Sequence, residues 1–299
     1  MDRFKLLLLP VCGTVLGILM LMLLVFAVNS AETLARQGIE TFTSNVWIAS
    51  EIPEEEFYGL LAAIYGTLYT SILALILALP TSIALAVFTI DFVPQKAKEA
   101  LVIPVDIMAG LPTVLYGLWG LFVLAPLVGN FAPIFYEKLS FVPLFSYYNF
   151  TGFSYLTASI LLAIMVTPFA TAIIREAYRT IPATYREAVY SLGLTRYEAT
   201  KVLLSFIKPS ILAGSLLAFG RAVGETVAVS LVVGNTFNIH PSFFAPGYTI
   251  SSLLANQFGN AFVYRYMPSA LFCAGLVLFL IGLLVNIAGV LLLRRWRHV

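Results

Sequence analysis

Residues 175–208 read REAYRTIPATYREAVYSLGLTRYEATKVLLSFIK, the only long charge-rich run in an otherwise apolar chain. Residues 209–235, PSILAGSLLAFGRAVGETVAVSLVVGN, follow at once and are apolar except for Arg221, Glu225 and a few hydroxyls. A water-facing segment that drops straight into an apolar helix with a charge pair inside it implies a membrane protein driven from one side.

The totals agree with that reading. The chain has 299 residues, 60% of them hydrophobic and 11% charged, with a mean hydropathy of +0.95. Soluble domains run near a quarter charged, so this is an integral membrane protein, expected to be all-α. The net charge of +2 points to no nucleic acid, and the expected surroundings are membrane lipid. Cys12 and Cys273 lie in apolar runs and read as small buried hydrophobes, with no disulfide framework. His240 and His298 are too few for a metal or proton-relay site.

Apolar runs predict six transmembrane spans: Phe4–Val28, Tyr58–Phe92, Leu101–Leu127, Tyr155–Ile174, Ile211–Val233 and Pro268–Leu293. The first is too long for a secretory signal and is expected to be retained. Pro80 inside the second removes a helical hydrogen bond and predicts a bent or broken element. With both termini inside, the inner segments hold Arg3, Lys5, Lys96, Lys98, Arg175, Arg179, Arg186, Arg196, Lys201, Lys208, Arg294, Arg295 and Arg297. The outer segments hold Arg36, Lys138 and Arg265, so the positive-inside rule puts both termini in the cytoplasm. The domain organisation is then 1–57, a transmembrane helix plus an acidic outer segment; 58–295, the main transmembrane domain; and 296–299, a cytoplasmic tail.

Outside the spans, the acidic run ending Glu51, Glu54, Glu55, Glu56 reads as a solvated face, and the Phe- and Tyr-rich loop 128–153 as an interfacial aromatic belt. Asn149-Phe150-Thr151 is a formal glycosylation triplet and a short match. Gly110, Gly117 and Gly120 in the third span suit close helix approach, and Pro112 frees a carbonyl there. Asp106 is expected to reach the interface.

The charge-rich run divides at its punctuation. Thr184 and Glu187 have capping-box spacing, as do Thr195 and Glu198, and Gly193 stands where a helix C-cap belongs. Two short helices around a tight turn are predicted, with Ala188, Val189 and Leu192 on one face. In the apolar half, Arg221 and Glu225 are four apart and predicted on one helical face. Counted from Lys208, they lie about 20 and 25 Å along the helix, inside a core about 30 Å thick. An arginine there costs from about 3 to over 10 kcal/mol unless it faces a cavity or partner. The two residues neutralise each other to hold helices in register, or Arg221 meets an anion while Glu225 restrains it. Both readings stay open on the residues alone. Thr226 extends the polar character, and Gly220 and Gly224 suit tight packing.

Glu187-Ala188-Val189, three residues and Gly193 resemble the EAA loop of ABC-importer permeases, whose coupling helix sits in a groove of a cytoplasmic ATPase. The family motif continues with an apolar residue and Leu-Pro; here that region reads Leu203-Leu204-Ser205-Phe206, with the proline at Pro209. Residues 111–120, 220–229 and 244–250 (LPTVLYGLWG, GRAVGETVAV and FAPGYTI) are similar to the PstC-type phosphate permeases. The resemblance spans about Tyr58 to Arg295 and implies a type I, MetI-like permease fold of six spans. It implies a subunit forming half the pathway of an ATP-driven inorganic phosphate importer in a bacterial or archaeal cytoplasmic membrane. Its partners would be a PstB-like ATPase homodimer, a PstA-like second permease and a PstS-like external phosphate-binding protein. It assigns ATPase coupling to Thr184, Arg186, Glu187, Ala188, Gly193, Thr195 and Glu198, and the substrate pathway to Arg221, Glu225 and Thr226. The chain carries no phosphate-loop motif, so ATP and Mg are expected on the ATPase and no cofactor on this chain; it is not expected to be an enzyme. Sulfate, molybdate and tungstate permeases are the nearest alternative, and a self-contained carrier or channel the next.

Overall fold

In the computed structural model, which describes residues 3–296, helix α1 (Arg3–Gln37) leads to a short α2 (Glu40–Thr43). A small antiparallel hairpin follows, β1 (Trp47–Ile48) and β2 (Phe57–Tyr58), pairing Trp47 with Tyr58 and Ile48 with Phe57. Helix α3 (Leu61–Val87) runs on into a π-helical turn, Phe88–Phe92. Then come α4 (Gln95–Gly110) and α5 (Thr113–Trp119), and a second π turn, Gly120–Leu124, joins α5 to α6 (Ala125–Leu139). Helix α7 (Tyr155–Arg179), capped by Ser154, is packed by α3, α4 and α10. After it lie α8 (Ala183–Ser191), α9 (Arg196–Phe206), α10 (Lys208–Gly224) and the single turn α11 (Val227–Ser230). Helices α12 (Ile250–Gln257) and α13 (Met267–Trp296) complete the chain. Of the expected tail at 296–299, residues 297–299 lie outside the described residues, and Arg297 with them.

Among the described residues, five helices are long and apolar enough to cross a membrane: Pro10–Gln37, Leu61–Phe92, Thr113–Leu139, Tyr155–Arg179 and Met267–Leu291. A sixth span arises if α9 and α10, bent by 71° at their junction, are taken together. Three expectations need correction. Pro80 does not break α3, which continues through it to Val87; Ser82 Oγ donates to Ala78 O at 2.7 Å and to Thr167 O at 3.1 Å, stitching this stretch to α7. The third span starts at Thr113, because Leu111 and Pro112 are extended and cut α4 away as a separate helix. The fifth helix stops at Gly224. Glycine is a poor helix former, and the β-branched residues of Thr226-Val227-Ala228-Val229 add little to continue it.

In the outer segment Glu51, Glu54 and Glu55 are exposed as a solvated face requires, and Glu56 is the exception. Residues 29–37 continue α1, and Glu56 is 2% exposed. Its carboxylate accepts from Tyr58 Oη at 2.6 Å, Tyr266 N at 3.0 Å and Arg265 N at 3.2 Å, pinning the hairpin to the start of α13. Burial, then this bond to Glu56, pushes the Tyr58 hydroxyl far above its ordinary range. Asn149 is buried too: Nδ2 donates to the carbonyls of Phe153 and Phe244, which closes the outer loops and leaves no accessible glycosylation site. The stretch 128–153 expected as a loop is helical as far as Leu139, where α6 ends, and Phe141, Tyr148 and Phe150 are exposed beyond it. Cys273 is buried as expected, whereas Cys12 is exposed on α1.

Gly117 and Gly120 make the expected close approaches, to α11 and to Leu161 and Val232, but Gly110 faces open space. Gly66 is closely packed on the outer side, where an added Cβ would lie 1.9 Å from the Tyr248 carbonyl oxygen. At Gly220 it would meet nothing within 4 Å. Gly66→Ala should therefore cost about 1–3 kcal/mol through overpacking, while Gly220→Ala leaves stability unchanged or slightly raised. Melting temperatures of the detergent-purified variants, followed by tryptophan fluorescence, check the contrast.

Candidate functional site

The charge-rich run folds as the knob that its punctuation predicts, with one change at its start. Helix α8 begins at Ala183 with Pro182 as N-cap and no side-chain cap, so the Thr184–Glu187 capping box does not form. Proline has already set the entry into the helix, and Thr184 falls within the first turn, where its hydroxyl no longer faces the free amides. Gly193 is just past the end of α8 at φ +70°, the left-handed conformation that closes helices, and its N–H reaches Tyr190 O at 3.2 Å. The second box is intact: Thr195 Oγ1 accepts from Glu198 N at 3.4 Å, and Glu198 Oε2 accepts from Thr195 N at 2.9 Å and from its hydroxyl at 2.7 Å.

Of the three apolar residues expected on one face, only Val189 is buried. It packs with Ile174, Tyr178, Ala199 and Leu203 in the cluster beneath the knob. Ala188 is exposed and Leu192 is 73% exposed, beside the exposed rings of Tyr190 and Tyr197. Thr184, Glu187, Gly193, Thr195 and Glu198 are exposed as well, so the knob presents one mixed apolar and acidic surface. Arg186 behaves differently. Its Nη1 donates to Asp91 Oδ1 at 3.0 Å, its Nη2 to Tyr178 O at 2.6 Å, and its guanidinium lies 4.6 Å from the centre of the Tyr178 ring. Tyr178 Oη completes the group by donating to Asp91 Oδ2 at 2.5 Å.

At the far end of α10 the expected pair is split. Arg221 is in the last helical turn, but Glu225 is extended, at φ −68° and ψ 126°, and the two make no ion pair among the described residues. The Glu225 carboxylate instead accepts from Ala228 N at 3.4 Å, capping α11, and its carbonyl accepts from Ser251 Oγ at 2.6 Å. Thr226 Oγ1 turns back to Gly224 O at 3.2 Å. The Arg221 guanidinium stands 5.9 Å from the Phe169 ring centre and is exposed on the surface of this chain. Leu217, Arg221 and Gly224 fall on one side of α10, all exposed, and a Cβ added at Gly224 or Gly220 would meet no described atom within 4 Å. The tight packing expected of these glycines therefore does not occur within the chain.

Sequence reasoning placed Asp106 at the interface and missed its partner. Its carboxylate takes Arg175 Nη2 at 2.8 and 3.1 Å, joining α4 to α7, and Arg175 is 8% exposed. It also missed Asp91, Phe169 and Ser251, whose partners lie too far along the chain for any local pattern. Thr81 and Thr167 form another polar spot, their hydroxyls 3.3 Å apart at a cavity of about 490 Å³ lined with Leu77, Met108, Ile164 and Pro168.

The knob carries its own check. Hydrogen bonds from the Thr195 hydroxyl and amide hold the Glu198 carboxyl below its ordinary range. A lowered folded value means the box stabilises at pH above the unfolded value and is lost as pH falls through the lowered one. Thr195→Ala should speed amide exchange in the first turn of α9 at neutral pH while leaving α7 and α13 unchanged, measured by hydrogen–deuterium exchange.

Comparison with known proteins places these features in a family. Residues 59–298 match the model of the family described as binding-protein-dependent transport system inner membrane component. The chain is 54% identical over 298 residues to a probable phosphate transport system permease protein PstC of Methanocaldococcus jannaschii, covering 99% of this chain and 95% of that one. It is 36% identical to the phosphate transport system permease protein PstC of Xylella fastidiosa, covering 98% and 90% respectively. Among solved structures, an inward-facing MetNI methionine ABC transporter superposes with a TM-score of 0.55 at 16% identity, covering 79% of this chain and 95% of that one. The last shows the fold alone, the MetI-like permease architecture.

Proposed function

The chain belongs to the family of binding-protein-dependent transport system inner membrane components, and from that premise we propose that it is a permease subunit of an ATP-driven inorganic phosphate importer. The observation that carries the reading is Arg221, about 20 Å along α10 from Lys208 and with no carboxylate against it among the described residues. Such an arginine, exposed at that depth, needs a wetted path or an anion passing through one. Its planar fork matches the oxygens of a tetrahedral oxyanion. The relatives named as phosphate permeases supply the choice of anion.

In this reading Arg221 meets phosphate on the face of α10 shared with a second, PstA-like permease. Thr226 borders that place. Glu225, spent on capping α11, repels the anion from the outer side and keeps it from resting on Arg221. The knob supplies the drive. Thr184, Glu187, Ala188, Gly193, Thr195 and Glu198 form the face gripped by a PstB-like ATPase homodimer, while Arg186 holds the knob in place from behind. ATP and Mg reside on that dimer, and this chain binds no cofactor. A PstS-like protein delivers phosphate from outside, and the excess of Lys and Arg on the inner segments puts both termini in the cytoplasm. On ATP binding the knobs approach one another and the pathway opens outward; hydrolysis resets it.

Reconstituted with these partners, the chain should support ATP-dependent phosphate uptake that sulfate and molybdate do not compete away; uptake without any ATPase would sink the importer reading. Arg221→Gln should abolish uptake with the complex still assembled by size-exclusion chromatography. Normal uptake in that variant would leave the arginine a packing role only. Gly193→Pro cannot adopt φ +70°, and the ATPase should no longer be pulled down with it.

A further inference from the structure

The knob needs a rigid connection to the membrane helices, and the structure holds one candidate that the sequence did not disclose. We propose that Asp91 is a positioning residue of the transport cycle, tying α8 to the inner ends of α3 and α7 through Arg186 and Tyr178, so that a push on the knob moves both helices. The inference rests on the reading of α8 as the surface gripped by the ATPase.

Three observations carry it. The first is the closed geometry. Each Asp91 oxygen has its own donor, Arg186 Nη1 at 3.0 Å and Tyr178 Oη at 2.5 Å, while Arg186 Nη2 holds the Tyr178 carbonyl at 2.6 Å. Three elements thus meet in one ring of charge-assisted bonds, which fix direction in a way that apolar contact does not. The second is burial: the Arg186 and Asp91 side chains are 21% and 12% exposed, whereas the Arg175–Asp106 pair buries its arginine (10%) but leaves its acid 47% exposed. The tie is therefore little screened by water.

The third is the backbone that presents Asp91. It stands in the π-helical turn Phe88–Phe92, where Val93 N reaches back to Phe88 O at 3.2 Å. A π turn widens the helix and is frequent at functional sites. Lys98 Nζ takes the Ile90 carbonyl at 3.0 Å beside Asp91, so the turn is held from the α4 side too. A cavity of about 950 Å³ is lined by Val87, Phe88 and Phe92 together with Arg196, Tyr197 and Leu204 of α9, the Arg196 guanidinium lying 5.9 Å from the Phe92 ring centre. The inner end of α3 shares an apolar cluster with Val189 of α8 and with Ala199 and Leu203 of α9, and Asp91 adds the directional bonds through which motion of the knob reaches it.

The test uses the assembled importer in proteoliposomes, reading phosphate taken up per ATP hydrolysed and ATPase co-purification. With Asp91→Asn the ATPase should stay attached and hydrolyse ATP, while uptake per ATP falls about fivefold or more. Tyr178→Phe, which removes one leg, should fall less, and Asp91→Glu should retain most of the coupling. A second readout needs no transport: spin labels at Tyr190→Cys and Ile83→Cys, in a Cys12→Ser background, should give one narrow distance in the native chain and a broad one in Asp91→Asn. Native coupling together with an unbroadened distance in Asp91→Asn would overturn the proposal. So would loss of the ATPase from both Asp91 variants, which would make the group a plain fold determinant. Should the native complex move no phosphate, the function proposed above fails, and the label distances alone still decide the tie.

Discussion

Inside a bilayer a carbonyl that loses its helical partner finds no water, and leaving it unpaired costs several kcal/mol. The breaks in this chain are shaped by that constraint. Where α4 stops before Pro112, Tyr116 Oη reaches back to Met108 O at 2.7 Å. Where α10 stops at Gly224, Ser251 Oγ takes the Glu225 carbonyl and Asn235 Nδ2 takes Ser230 O at 2.7 Å. At the π turn closing α3, Lys98 takes Ile90 O. A side chain from elsewhere in sequence or space closes each opening, so irregular backbone is held at fixed places.

Those places are where the chemistry gathers. The break after α10 turns Glu225 away from Arg221 and uses its carboxylate as a cap, which leaves the arginine available on the open face. The π turn presents Asp91 to Arg186 and Tyr178. An unbroken helix would have put Arg221 and Glu225 one turn apart, where neutralisation was the simplest outcome. The ion pairs follow the same logic: Arg175 with Asp106 and Arg186 with Asp91 join elements at the inner ends of the spans, where long cationic side chains arrive from nearby water.

Local chemistry was readable wherever it was self-contained. The Thr195–Glu198 box, the left-handed Gly193 and the apolar runs of the first, second, fourth and sixth spans need only neighbours within a turn or two, and the structure repeats them. The Thr184 box failed on local grounds as well, because Pro182 took the cap position first. Asp106 and Glu56 looked like ordinary interfacial or solvated acids, and Asp91 stood out in no local pattern. Arg175, Arg186 and Tyr266, which bind Asp106, Asp91 and Glu56 in that order, lie 69, 95 and 210 residues away, and no periodicity carries that information.

The sequence by itself determined the membrane class, the orientation bias of its cations, the capped knob and the arginine inside an apolar helix. Composition, periodicity and capping are short-range properties of the chain, written residue by residue. Only the tertiary structure decided that Arg186 faces inward, that Glu225 caps a helix turn and that Asp91 joins three elements. A buried charge or a freed carbonyl takes whichever partner the fold brings within hydrogen-bonding distance, and that is settled by packing across the whole chain.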